Sequence, residues 1–76
     1  MQTTEYQTSF PTERNDTRMY VTFYKHTYPD GTVKWCYVKK EAGATHTGFF
    51  NQVISAEFDS PAEAVMNWAK NCFFDE

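Results

Sequence analysis

The side chains in this sequence with chemistry to offer are two histidines, two cysteines and a series of tyrosines set among lysines. His26 and Cys36 are the raw material of a thiol–imidazole dyad, in which the ring takes the thiol proton and leaves a thiolate nucleophile. Together with His46 and Cys72 they offer the donor types that zinc prefers. Neither reading goes far on the sequence. No third group that would orient the imidazole is evident, and the spacing of the four residues matches no zinc knuckle. Glycine-rich phosphate loops, HExxH and CxxC are all missing. A chain of 76 residues also leaves little room for the concave pocket of about 300–1,000 Å³ that small-molecule chemistry uses. The expectation is a protein that is not an enzyme, with no metal, no cofactor and no small-molecule substrate.

The tyrosines are more informative. Tyr20, Tyr24 and Tyr28 recur at every fourth residue, with His26, Lys34 and Lys40 close to them. Rings beside cations make stacking platforms for single-stranded nucleic acid. Rigid amphipathic rings equally suit a protein interface, where they bury area at low entropic cost. The same residues are also ordinary on the solvated face of an antiparallel sheet. Charge bears on the choice. The chain carries a net charge of −3, but residues 18–40 hold five basic residues against Asp30 alone, and residues 41–76 hold six acidic residues against Lys70 alone. An acidic total opposes a non-specific grip on phosphates, while the split still permits one basic face on an acidic body.

These residues must be positioned by a hairpin. Met19-Tyr20-Val21-Thr22-Phe23-Tyr24 is rich in β-branched and aromatic residues and predicts a strand over 19–28. Pro29-Asp30-Gly31 supplies a bulged three-residue turn, with glycine at the left-handed position. Residues 32–40 return. Tyr28 then pairs with Thr32, His26 faces Lys34, Tyr24 faces Cys36, Phe23 faces Tyr37 and Thr22 faces Val38. Period two divides the hairpin into an apolar core face, with Met19, Val21, Phe23, Val33, Trp35 and Tyr37, and a wetter face that carries the tyrosines, His26, Lys34, Cys36, Val38 and Lys40.

The remaining elements are briefer. Residues 41–48 hold two glycines and no large apolar side chain and predict a loop. Residues 49–58 predict a third strand, with Phe50, Ile54 and Phe58 turned inward. Ser60 as N-cap, Pro61 at the first helical position and Glu63 three residues after the cap announce a helix. Its apolar stripe is Val65, Trp68, Ala69 and Cys72, with Met66, Asn67, Lys70 and Asn71 outward. It ends near 71–73, with Phe73 and Phe74 folding back on the sheet. Residues 1–17 are polar and read as an arm, although Tyr6, Thr8 and Phe10 alternate with polar residues as a short edge strand would. The fold class expected is α+β: a three-stranded antiparallel sheet packed on one C-terminal helix. The division is a polar N-terminal arm over 1–17 and a single β-β-β-α domain over 18–76.

A strand ending in Asp30-Gly31, Trp35 early in the return strand, and Phe58-Asp59-Ser60-Pro61-Ala62-Glu63-Ala64 leading into a helix with Trp68 together resemble the three-stranded-sheet-plus-helix domains of the AP2 and phage-integrase arm type. The resemblance covers residues 19–71 and rests on short motifs. It implies DNA reading by the sheet face opposite the helix, through Tyr20, Tyr24, His26, Lys34 and Lys40. The stretch Phe49 to Phe58 departs from that pattern, because it holds no lysine or arginine and includes Glu57.

The sequence also shows no basic, apolar leader in Met1-Gln2-Thr3-Thr4-Glu5 and no long apolar run, and two cysteines are too few for a disulfide framework. Reduced thiols, a cytoplasmic location and no membrane partner are expected. The favoured function is a small non-enzymatic protein that binds and modulates a protein partner. By analogy it is of the kind phages use as host-takeover or anti-defence factors. The alternative is a nucleic-acid-binding regulator that uses Tyr20, Tyr24, His26, Tyr28, Lys34 and Lys40.

Overall fold

In the computed structural model, which describes residues 1–12, 16–43 and 48–74, the hairpin forms around the expected turn. Tyr28 N–H donates to the Thr32 carbonyl at 2.8 Å and Gly31 N–H donates to the Tyr28 carbonyl at 2.9 Å. Gly31 sits at φ +90°, a conformation costly for any residue with a Cβ. The Asp30 carboxylate accepts from the Thr32 N–H at 2.9 Å, and that bond holds its pKa below the ordinary value. Strands β2 (Thr17–Thr27) and β3 (Val33–Gly43) follow in antiparallel register, with His26 opposite Lys34, Tyr24 opposite Cys36 and Phe23 opposite Tyr37. Lys39 and Glu41 extend the core-facing series of β3, so this face is not apolar throughout, and the expected loop begins later than residue 41. Its residues 44–47, His46 among them, lie outside the described residues.

The sheet has four strands, not three. Gln2–Pro11 forms β1, antiparallel to β2 in unbroken register from Gln2–Thr27 to Pro11–Arg18. Backbone pairing and an apolar flank hold it, since Tyr6 lies opposite Phe23, and Phe10 lies opposite the fully buried Met19. The order is a meander, β1-β2-β3-β4, with β4 at Phe49–Ile54. Beyond β4 the chain bonds to β3 at two more places: the Ser55 N–H donates to the Tyr37 carbonyl at 3.0 Å, and Phe58 and Trp35 exchange backbone hydrogen bonds at 2.8 and 2.6 Å. Ile54 is outward and 72% exposed rather than inward. It pairs with Val38, whose parity puts both on the wet face.

Helix α1 (Pro61–Trp68) starts as the sequence predicts. Ser60 Oγ accepts from the Glu63 N–H at 3.2 Å, while Glu63 reaches back to the Asp59 N–H at 3.1 Å. A π-helical segment over Ala69–Phe73 continues it, closed by the Phe74 N–H on the Ala69 carbonyl at 2.8 Å. The buried stripe differs by about one position from the expected one. Ala64 is fully buried and Val65 is 42% exposed, while Trp68 and Cys72 face the sheet. Asn67, expected outward, turns in and accepts from the Tyr37 hydroxyl at 2.6 Å. The core is Val21, Tyr37 and Cys72, flanked by Phe10, Phe23, Phe58 and Trp68. Trp68 meets Phe10, Phe23 and Phe73 edge-on or tilted at 5.5–5.9 Å. Trp35 instead stacks on Tyr6 at 6.0 Å, under the Lys25 ammonium, so the two tryptophans anchor different parts of the face. Both cysteines are free thiols, Cys72 buried between the π-helical segment that carries it and the sheet, and Cys36 on the opposite face. Among the described residues no helix is long and apolar enough to cross a membrane.

The phenol of Tyr37 gives this core an alkaline limit. Burial, and then the neighbouring Cys72 thiol, push its pKa from 10.0 up to about 12. Folding therefore holds the proton more tightly than the unfolded chain does. The stability carried by Tyr37 is whole below about pH 10 and is lost as pH rises toward about 12. Urea unfolding between about pH 9 and pH 12 should show a loss on the order of 2 kcal/mol from this group. Tyr37→Phe, with no proton to lose, should show a shallower decline over the same range. An equally steep decline in the variant would refute the assignment.

Candidate functional site

Period two carries Tyr20, Tyr24, His26 and Tyr28 from β2 and its turn, and Lys34 and Lys40 from β3, to the sheet face opposite the helix. All six are half-buried rather than bare, because each leans on its neighbours. Tyr24 and His26 stack nearly parallel, with centroids 6.0 Å apart and planes 5° apart, and Tyr28 follows His26 at 6.5 Å. At the other end Tyr20 meets Phe49 of β4 edge-on at 5.5 Å, and the Lys40 ammonium lies 4.1 Å from the centroid of the Phe49 ring. The sequence reading missed Phe49, whose place beside Tyr20 depends on the pairing of β3 with β4.

Acidic residues from beyond β4 reach the same face. The Phe58–Trp35 bridge places residues 57 and 59 on the opposite side of the chain from Phe58. From there Asp59 pairs with Lys34, and Glu57 accepts from the Tyr28 hydroxyl. Each contact raises the pKa of the donor: the Asp59 hydrogen bond and charge act on Lys34, and the Glu57 hydrogen bond acts on Tyr28. Lys34 thus has a carboxylate partner in a solvent-exposed ion pair, and that end of the face carries two carboxylates.

His26 sits at the centre. Its Nε2 lies 3.4 Å from Cys36 Sγ and its Nδ1 lies 3.0 Å from Thr3 Oγ1. The orienting third group absent from the sequence reading is therefore present. Thr3 comes from β1, opposite His26 in register. Yet burial, and secondarily the Glu57 charge, push the Cys36 thiol above its ordinary pKa. Reactive cysteines are held below that value by nearby positive charge. Cys36, His26 and Thr3 thus have the contacts of a nucleophilic relay, around a thiol whose pKa burial raises.

On the helix side, Tyr6, Phe23, Trp35, Pro61 and Val65 line a groove of about 360 Å³ between the sheet and the start of α1, so the chain does leave room for a concave site despite its length. No cluster of three or more metal-binding side chains occurs among the described residues. His46 lies outside them, and Cys72 faces the helix side, away from Cys36 and His26. Compared with protein-family models, with curated proteins and with solved structures, the chain matches none.

Proposed function

We propose that this chain is a small non-enzymatic binding protein that modulates a protein partner, and that it docks through the sheet face opposite the helix. The observation that carries the reading is the state of the charges on that face. Lys34 is held by Asp59, Tyr28 is held by Glu57, and Lys40 lies over Phe49. What the face offers is chiefly ring and aliphatic surface, from Tyr20, Tyr24, His26, Val38, Phe49 and Ile54, with the charge of Lys34 offset by Asp59 and that of Lys40 kept over the Phe49 ring. Aromatic surface edged by mixed charge suits a protein interface. The raised thiol pKa of Cys36 supports a binding role over catalysis. A modulator of the phage host-takeover or anti-defence kind is offered by analogy alone.

Nucleic-acid binding is the second reading, supported by the stacked Tyr24–His26 pair, with the Lys40 ammonium at the Tyr20 end of the same face. Salt dependence separates the two. Single-stranded oligonucleotides should show no measurable affinity at low salt, whereas a phosphate-reading face would bind tightly there and lose affinity steeply as salt rises. Photo-crosslinking from Tyr24 in cells of the native host, followed by mass spectrometry, should recover one dominant protein that is lost with Tyr20→Ala. Salt-sensitive oligonucleotide binding abolished by Lys40→Glu would reverse the order of the readings.

A further inference from the structure

The two edges of the sheet are unequal. The β4 edge is short and irregular: its register slips opposite Lys39 and Glu41, and Asn51 takes a left-handed φ of 52° in mid-strand. Such breaks blunt an edge against pairing. Strand β1 has no such device. It runs ten residues, about 33 Å, in unbroken register, with residues 2–8 exposed and Glu5 its one charge. The Thr12 N–H donates to the Thr17 carbonyl at 3.1 Å, which fixes the phase of the ladder. Even-numbered residues of β1 bond to β2, so the N–H and C=O groups of Thr3, Glu5, Gln7 and Ser9 point away from the sheet. Pro11 falls in this outward set, where its missing N–H removes no bond to β2. The Ser9 carbonyl accepts from Arg18 at 3.4 Å and keeps a second lone pair.

We propose that this edge pairs with the same edge of a second copy of the chain, antiparallel about a two-fold axis at Tyr6, so that the two sheets become one. The sequence around Tyr6 selects that occupant. Keeping each face on its own side requires odd residues to meet odd. With Tyr6 opposite Tyr6, Glu5 meets Gln7, Thr4 meets Thr8 and Thr3 meets Ser9, all compatible pairs. Shifting one way sets Glu5 against Glu5. Shifting the other way brings Pro11 into the new ladder opposite Thr3. On the helix side Tyr6 is 51% exposed at the rim of the apolar groove, and the axis brings the two rings together there. A contact of β1 with β1 closes at two copies, whereas β1 with β4 would propagate, and the broken β4 edge opposes that. The pairing leaves the Tyr24–His26 face uncovered, so it stands or falls independently of partner binding.

Sedimentation equilibrium of the full chain from about micromolar to about millimolar concentration tests the pairing. A concentration-dependent dimer is expected. Gln7→Glu places like charges against Glu5 twice per dimer and should weaken it. Gln7→Lys places opposite charges there and should tighten it. Each shift in Kd should be on the order of five-fold at low salt. Gln7 is exposed, so both variants should keep the wild-type circular dichroism and unfolding midpoint. A protein that stays monomeric over the whole range overturns the proposal. So does a dimer that the two variants shift in the same direction, or not at all.

Discussion

Glu41→Ala is expected to unfold most of the population, with a loss of roughly 3–5 kcal/mol. Glu41 is 0% exposed and Lys39 only 6%, and the ammonium donates to Glu41 Oε2 at 3.1 Å and to the Asn51 carbonyl at 3.1 Å. Their partnership makes both charges tolerable under the β4 edge. Truncating Glu41 leaves the Lys39 ammonium in the interior with a carbonyl dipole in place of a full counter-charge. Lys39→Ala takes a counter-charge away from the fully buried Glu41 and should also be destabilising. Replacing both at once tests the mechanism. Lys39→Met with Glu41→Leu keeps the volume, removes both charges of the pair, and should be more stable than either single variant. Urea midpoints at neutral pH decide it. A double variant no more stable than either single one would show that the site needs charge for another reason, and the desolvation account would be wrong.

The pair also marks where the sequence stopped being legible. The hairpin could be read because its signals are local: Pro29, Asp30 and Gly31 set the turn, and the turn sets every pair back to Thr22–Val38. Extending the same parity two steps along β3 reaches Lys39 and Glu41, and lysine and glutamate read as surface residues unless the partner is known. That partnership is local, but the burial comes from β4, whose register is broken by Asn51. The same break hid the orientation of Ile54. Strand β1 was obscured by composition. Thr, Gln and Ser resemble a frayed terminus, and only the weak alternation of Tyr6, Thr8 and Phe10 hinted that β2 would pair with it. Losing β1 meant losing Thr3, and with it the residue that holds His26. The six candidate binding residues were legible as a face because period two is a property of the strand alone. Their charge state was not, because Glu57 and Asp59 reach Tyr28 and Lys34 only through the long-range bridge between Phe58 and Trp35.

Trp68→Ala should destabilise by about 3–5 kcal/mol, while Tyr24→Ala changes folding by about 1 kcal/mol and removes partner binding. The contrast follows from which face each side chain joins. Trp68 is the hub of the helix side, in ring contact with Phe10 from β1, Phe23 from β2 and Phe73 from the π-helical segment. Deleting the indole opens a hole where strand, sheet and helix meet, and backbone relaxation can fill it only in part. Trp35 lies on the same face but at the groove, so its truncation should cost less than that of Trp68. Tyr24 has His26 as its principal ring neighbour and no helix over it. Its removal exposes little that was dry, yet takes away the larger half of the central stacked pair. Lys34→Ala should barely alter folding, because its pair with Asp59 is open to solvent. Urea unfolding and affinity for the crosslinked partner, measured on the same four variants, separate the two roles. If Tyr24→Ala unfolds the domain and Trp68→Ala leaves it intact, the faces are reversed, and the proposed docking surface fails with them.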